Sequence, residues 1–171
     1  MCDPLHAPTL KHRPLLAFDT MSPHDVSIVL ASARTLQNAA RAGTPQAQLR
    51  GKNLGLLCES DNGDAALFRR AAAELGAHVA HIRPSLSQLS TPDEVQRTAF
   101  MLGRLYDAVE GQGMAQALLQ QLSVDAGVPV YDGAASPDHP TARLAELLGG
   151  DTSPADNRRF VLQAVLLSTI A

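Results

Sequence analysis

The stretch LGLLCESDNGDAALFRRAAAELGAHVAHI, Leu54–Ile82, decides the fold. It begins with a continuous apolar run of strand length, which is typical of a strand buried on both faces of a parallel sheet. A glycine-containing turn, Glu59–Ala66, follows. An Ala-rich segment, Leu67–Leu75, is then helical and ends at Gly76, and HVAHI is a second strand. Strand, turn, helix and strand in this order predict a unit with two parallel strands.

The remaining chain repeats this alternation. Three capping boxes, in which Ser or Thr is followed by Pro and then by an acidic residue, predict helices that start at Ser22, Thr91 and Ser153. Two further strands are predicted in YDAVE and VPVYDG, and two further helices in 114–126 and in HPTARLAELLGG. The fold class is therefore α/β: a three-layer arrangement with a parallel sheet of about four strands and flanking helices.

Composition and charge exclude several classes of protein. The chain has 171 residues, 45% of them hydrophobic, and a net charge of −3 with scattered basic residues, so we expect no nucleic-acid partner. The N-terminal segment lacks the apolar core of a signal peptide, and the most apolar run, 160–171, is too short to span a bilayer. We expect a cytoplasmic protein without a membrane partner. Two cysteines, Cys2 and Cys58, form no disulfide framework, and we expect neither a metal nor a cofactor.

Six segments carry a resemblance to a known family: LRGKNLGLL, AAAELGAHV, SQL, TAFMLGRLYDAVE, AGVPVYDG and HPTARLAELL. In this order and spacing, from about residue 15 to 148, they resemble the carbamoyl-phosphate-binding domain of ornithine and aspartate carbamoyltransferases, closer to the ornithine enzymes. DNRRFVLQAVLLSTIA resembles the family's C-terminal returning helix. The resemblance implies a carbamoyl-phosphate-binding-like domain over 1–150 and a C-terminal helix over 151–171 that packs back on it. The family's amino-acid-binding domain has no counterpart, as if the chain were rejoined near Gly149–Ser153.

The resemblance also locates the family's carbamoyl phosphate ligands, and most are replaced. The phosphate-gripping turn, Ser-Thr-Arg-Thr-Arg in the family, is here DNGDAA, Asp61–Ala66. The family's lysine falls on Pro92, its second arginine on Gln112 and its glutamine on Ala142, while His139 is kept. A hydrogen bond to a charged group is worth about 1.5–3 kcal/mol, so losing three or four costs about 5–12 kcal/mol. We therefore expect no carbamoyl phosphate binding.

The candidate ligand-binding residues form a remnant cleft at the carboxyl ends of the strands, and no catalytic residue is assigned; they are Asp61, Asn62, Gly63, Asp64, Gln112 and His139. The acidic turn is either a cation or amine site or, as we favour, a solvated turn in which Asp61 or Asn62 caps the next helix. His139 either polarises a carbonyl group, as its family counterpart does, or makes a structural hydrogen bond, which we favour.

Two functions follow as hypotheses. The first is a non-catalytic carbamoyltransferase-like protein, an oligomeric binding or regulatory module. The resemblance implies a homotrimer, with the loop after the second strand reaching into the neighbour, and a full-length carbamoyltransferase is a candidate protein partner. The alternative is a small-molecule-binding protein or enzyme with a re-purposed cleft. Residual ornithine carbamoyltransferase activity is a third reading, and it requires an amino-acid site that these residues do not encode.

Overall fold

The computed structural model describes residues 21–44 and 47–170, so Cys2 and the N-terminal segment lie outside the described residues. Six helices and four strands alternate along this part of the chain. In order they are α1 (Pro23–Arg41), β1 (Asn53–Leu57), α2 (Gly63–Glu74), β2 (His78–Ile82), α3 (Pro92–Leu105), β3 (Ala108–Gly111), α4 (Gln116–Ala126), β4 (Val130–Asp132), α5 (Ala142–Leu148) and α6 (Pro154–Ile170).

The four strands form one parallel sheet in the order β2-β1-β3-β4. Strand β1 lies inside the sheet: its residue Leu56 pairs with His81 of β2 on one side and with Glu110 of β3 on the other. Four of the five residues of β1 are buried, whereas the edge strand β2 contains no buried residue. The predicted α/β class and the four-stranded parallel sheet are therefore confirmed.

Helices cover both faces of the sheet, which makes three layers. Successive residues of β1 point to opposite faces: Leu56 packs with residues of α1, α2, α5 and α6, and Leu57 packs with residues of α3 and α4. Two apolar clusters result, one on each face of the sheet, and the larger cluster lies on the same face as α6.

The capping boxes predicted all three helix starts correctly: α6 begins at Pro154, and Ser153 Oγ accepts the Asp156 N–H at 3.1 Å. The side-chain oxygens of Ser22 and Thr91 each accept the backbone N–H of the residue three positions on. The carboxylate of that later residue accepts the backbone N–H of the capping Ser or Thr in return. Helix α2, however, begins at Gly63, four residues before the predicted Leu67, because the Asn62 side chain caps it. Helix α4 begins at Gln116 and not at 114, since the chain turns through Gly113 (φ 68°) and Ala115 is extended.

Helix α6 is buried on several sides, as its apolar residues predicted. It packs against α1, α2 and α5, and Phe160, Val161, Leu162, Ala164, Val165 and Leu166 are each at most 4% exposed. Its N-terminal end is tied to α1 because the Gln37 amide donates to the Gly149 carbonyl oxygen (2.9 Å) and to Thr152 Oγ1 (2.7 Å). None of the helices in the described part of the chain is long and apolar enough to cross a membrane.

Candidate ligand cleft at the carboxyl edge of the sheet

The strands end at one edge of the sheet, and three of the segments that follow them meet there. Residues 58–62 follow β1 and lead into α2, Gln112 follows β3, and residues 133–141 follow β4 and lead into α5. The start of α6 adds Arg158, whose guanidinium contacts the segment after β4. We call the region bounded by these four parts the carboxyl-edge cleft. In open α/β sheets this is where ligands bind.

The turn before α2 uses its own side chains to satisfy its charges and amides. Asn62 Oδ1 accepts the Ala65 N–H at 3.0 Å, so Asn62 is the helix cap that the sequence suggested. The exposed Asp61 carboxylate forms an ion pair with Arg69 of the same helix. Asp64 lies in the first turn of α2, where its negative charge faces the helix dipole favourably. These contacts occupy groups that an anion would otherwise contact.

Glu110 is a fully buried carboxylate at the floor of the cleft, and it was not among the predicted site residues. Its two oxygens accept the N–H groups of Ala134 (2.9 Å) and Ala135 (3.2 Å). Burial raises the pKa of Glu110 to about 8, although the two backbone donors and the nearby Gln112 amide act in the opposite direction. The carboxyl group is therefore mostly protonated at neutral pH.

Gln112 is 8% exposed, and its side chain lies beside that of Glu110. The Gln112 amide lowers the pKa of Glu110 by its proximity, yet neither Nε2 nor Oε1 reaches the geometry of a full hydrogen bond within the described residues. An unsatisfied buried polar group costs about 1–3 kcal/mol. Gln112 and Glu110 are thus two adjacent, buried polar side chains at this edge of the sheet.

Arg158 is a cation of the cleft that comes from α6. Its Nη2 donates to the carbonyl oxygens of Ala134 and Ser136, the latter at 3.1 Å, while Nε and Nη1 are shielded and have no hydrogen-bond partner among the described residues. Burial lowers the pKa of Arg158, and the acidic side chains of Glu110 and Asp64 oppose this effect.

The sequence prediction missed Arg158 because it sought ligands only after the strands. The run DNRRF lies at the start of α6, whose apolar pattern indicates a packing helix. A usable signal was present: two adjacent arginines at the start of an otherwise apolar helix require polar partners when that helix is buried. Arg159 finds them in Glu74 (2.9 Å) and Asp156 (2.6 Å).

His139 lies in the segment between β4 and α5 and is half-buried. Its Nδ1 lies 2.8 Å from Thr141 Oγ1 and accepts the Thr141 N–H at 3.3 Å. The backbone N–H of His139 donates to the Ser136 carbonyl oxygen, the same atom that accepts from Arg158. The segment thus joins His139 to the Arg158 side of the cleft.

Cys58 directly follows β1 and is 2% exposed. Burial raises the pKa of its thiol, against a smaller opposing effect of Arg69, so the thiol is protonated and unreactive at neutral pH. Within 21–44 and 47–170, no group of three or more His, Cys, Asp or Glu side chains is placed to hold a metal ion.

The four-stranded parallel sheet with helices on both faces defines an open-sheet α/β domain. Residues 13–149 match the aspartate/ornithine carbamoyltransferase family, carbamoyl-P binding domain, and the chain belongs to this family. It is 39% identical over 140 residues to the ornithine carbamoyltransferase of Actinobacillus pleuropneumoniae, and 36% identical to that of Cutibacterium acnes. These matches cover 81% of this chain and 42% of each relative, so the chain spans less than half of their length.

Solved structures agree with this assignment. Ornithine carbamoyltransferase from Pyrococcus furiosus superposes with a TM-score of 0.68 and 25% identity, over 82% of this chain and 45% of that one. The enzyme from Gloeobacter violaceus gives a TM-score of 0.61 and 29% identity, over 80% and 44%. The resemblance inferred from the sequence segments is thereby confirmed.

Proposed function

We propose that this chain is a carbamoyltransferase-family module that does not bind carbamoyl phosphate and does not transfer its carbamoyl group. Its role is binding or regulation within an assembly of like chains. The observation that carries this proposal is that groups at the N-terminus of α2 are already paired within the chain, whereas a phosphate bound there would need free backbone amides and cations.

Two of the groups needed at that helix end are already occupied. The Ala65 N–H is taken by Asn62, and the cation on the first two turns of α2, Arg69, is paired with Asp61. A phosphate entering here would have to displace Asn62 and break the ion pair. Asp64 would remain as a like charge beside the ligand, which disfavours a dianion further.

Arg158 does not restore the lost affinity. One of its nitrogens is committed to the carbonyl oxygens of Ala134 and Ser136, and Asp64 and Glu110 lie close to its charge. A single shared cation offsets at most one of the lost charge-assisted contacts, each worth about 1.5–3 kcal/mol. A micromolar dissociation constant would thus rise to the millimolar range or above, since about 1.4 kcal/mol changes the dissociation constant tenfold.

Isothermal titration calorimetry with carbamoyl phosphate, and separately with inorganic phosphate, tests the proposal. We expect no saturable binding below millimolar concentration, and no citrulline when ornithine is added. The double variant Asp61→Asn, Asp64→Asn removes the repulsion and should raise phosphate affinity. The matched control, Asp125→Asn on α4, lies on the other layer and should leave it unchanged. Micromolar carbamoyl phosphate binding by the unaltered chain would refute the proposal.

Self-association is the second part of the proposal; it is supported by the family membership of the chain, and Leu89 in the segment after β2 is the residue chosen to test it. Leu89, in residues 83–90 between β2 and α3, is 94% exposed, a high value for a leucine. Light scattering coupled to size exclusion should report an oligomer at micromolar concentration. Leu89→Asp should dissociate it, whereas Leu147→Asp, at a leucine of α5 that is 60% exposed, should not. A monomeric wild-type chain would contradict this part alone.

A further inference from the structure

A cavity of about 330 Å³ lies where the last turns of α1 and α2 meet the N-terminal half of α6. We call it the helix-end cavity; its wall is apolar at Leu36, Ala39, Ala40 and Phe160, and its charged residues are Glu74 and Arg159. Helix α2 begins at the carboxyl-edge cleft and ends here, so the length of α2, about 18 Å, separates the two regions. The volume lies in the range of small-molecule sites, which is about 300–1,000 Å³.

The cavity exists because the side chains at the end of α1 are small. Ala39 and Ala40 lie in the last turn of α1, which packs against α6, and their methyl groups leave space that longer side chains would fill. Leu36 and Phe160, which form the buried part of the wall, are each at most 5% exposed. An apolar group that entered the cavity would therefore leave water and contact apolar atoms.

Glu74 presents a fixed carboxylate to this apolar space. Its Oε2 accepts from Arg159 Nε (2.9 Å) and from Gln163 Nε2 (2.9 Å), and both of these donors belong to buried residues of α6. Its Oε1 accepts from Arg70 (3.1 Å), whose side chain is 64% exposed. Because an exposed ion pair of this kind contributes little to stability, a cationic ligand can replace Arg70 on Oε1 at small cost.

The neighbouring charges also favour a cation. Arg159 is shared between Glu74 and Asp156 (2.6 Å), so these three side chains carry one net negative charge, and Arg41 at the end of α1 is paired with Asp151. The C-terminal ends of α1 and α2, the negative ends of the helix dipoles, both lie at the cavity. Arg159 lies beyond the first turn of α6, so the positive end of that helix has little effect there.

We propose that the helix-end cavity binds a small organic amine, with its protonated amino group on Glu74 Oε1 and its apolar body against Leu36, Ala40 and Phe160. The amino group supplies N–H donors and a positive charge, and the apolar body fills the space beside the two alanines. This site is separate from the carboxyl-edge cleft, so the result of the carbamoyl phosphate titration neither supports nor overturns it.

A thermal-shift panel of primary amines with aromatic, cyclic and linear apolar bodies (2-phenylethylamine, cyclohexylamine and hexylamine) provides the first test. At least one amine should raise the melting temperature in a saturable way at millimolar concentration. For 2-phenylethylamine, calorimetry should show that 2-phenylethanol, which lacks the charge, binds about tenfold more weakly, and that 3-phenylpropionate, which has the opposite charge, binds more weakly still.

Variants test the two parts of the site separately. Glu74→Gln should weaken amine binding by about tenfold and leave the alcohol unchanged, whereas Glu146→Gln, at an exposed carboxylate of α5, should change neither. Ala40→Phe should fill the cavity and weaken the amine and the alcohol alike, and its matched control is Ala117→Phe, at an exposed alanine of α4 on the other layer.

Arg70→Met removes the cation that competes for Glu74 Oε1, so it should strengthen amine binding by about twofold. Circular dichroism of each variant verifies that the fold is kept, and Ala40→Phe leaves every charged group in place if Glu74→Gln disturbs the packing of α6.

Three outcomes would overturn the inference. The first is that no amine of the panel stabilises the chain. The second is that the amine, the alcohol and the carboxylate bind equally well, because Glu74 would then not select the ligand. The third is that Ala40→Phe binds the amine as tightly as the unaltered chain, because the amine would then bind elsewhere.

Discussion

Replacing Glu110 by Gln should flatten the dependence of stability on pH. In the folded chain the pKa of Glu110 is about 8, against an ordinary value of 4.5, because burial penalises the charged form. The folded state therefore holds a proton that the unfolded state releases between these two values. Stability contributed by this group is complete below the unfolded pKa and is lost as pH rises toward the folded pKa.

The size of this effect is set by the one proton that the folded chain retains and the unfolded chain releases. At most, the free energy of unfolding of the wild-type chain falls by about 1.4 kcal/mol per pH unit, which is about 3 kcal/mol between about pH 5.5 and 7.5. Glu110→Gln cannot titrate, so this contribution disappears. The Gln side chain has one acceptor oxygen for the two N–H groups of Ala134 and Ala135, so one hydrogen bond is lost. The resulting decrease in the free energy of unfolding is independent of pH.

Urea denaturation followed by circular dichroism, repeated across this pH range, measures the difference between the two chains. Glu146→Gln, at an exposed carboxylate of α5, is the matched control and should keep the wild-type slope. Carbon-13 NMR of the Glu110 carboxyl group gives its titration directly. Equal slopes for wild type and Glu110→Gln, or an ordinary titration midpoint in the NMR signal, would refute the reasoning.

Two further predictions concern helix packing and capping. Gly103→Ala would place its Cβ 1.9 Å from the Ala126 carbonyl oxygen, so it should lower the free energy of unfolding by about 1–3 kcal/mol or more. The control Gly63→Ala, whose Cβ meets nothing within 4 Å, should be neutral or slightly stabilising. The melting temperatures of the two variants measure the difference. Asn62→Ala removes the cap on the Ala65 N–H and should lower the free energy of unfolding, measured by urea denaturation, by about 1 kcal/mol. Asn62→Ser, which keeps a capping oxygen, should recover most of this loss. Equal losses in the two variants would contradict the capping role.

The sequence predicted most of the fold because its local signals agree with the tertiary packing. The boxes at Ser22 and Thr91 fix helix starts through bonds within four residues, and the apolar run of β1 has one environment that suits it, the interior of a sheet. The start of α2 was predicted too late because Gly63 and Asp64 lack helix-forming side chains, and the bond from Asn62 to Ala65 compensates for them.

The cleft was less predictable because its central groups meet only in three dimensions. Glu110 and Arg158 are 48 positions apart in the sequence, and each occupies an element whose pattern is explained by packing alone. The position of Gln112 after β3 was readable, but its unpaired amide depends on which side chains surround it. Local patterns carry no information on such long-range neighbours.

The contact between α1 and α6 has a consequence for biogenesis. These helices pack together although more than a hundred residues separate them in the sequence, so α1 leaves the ribosome long before its partner exists. During that interval Val29, Ala33 and Leu36 have no apolar cover and are targets for chaperones or for premature aggregation. Because Arg158 lies on the same late helix, the contacts of its guanidinium with the carbonyl oxygens of Ala134 and Ser136 also form only after translation of α6 is finished.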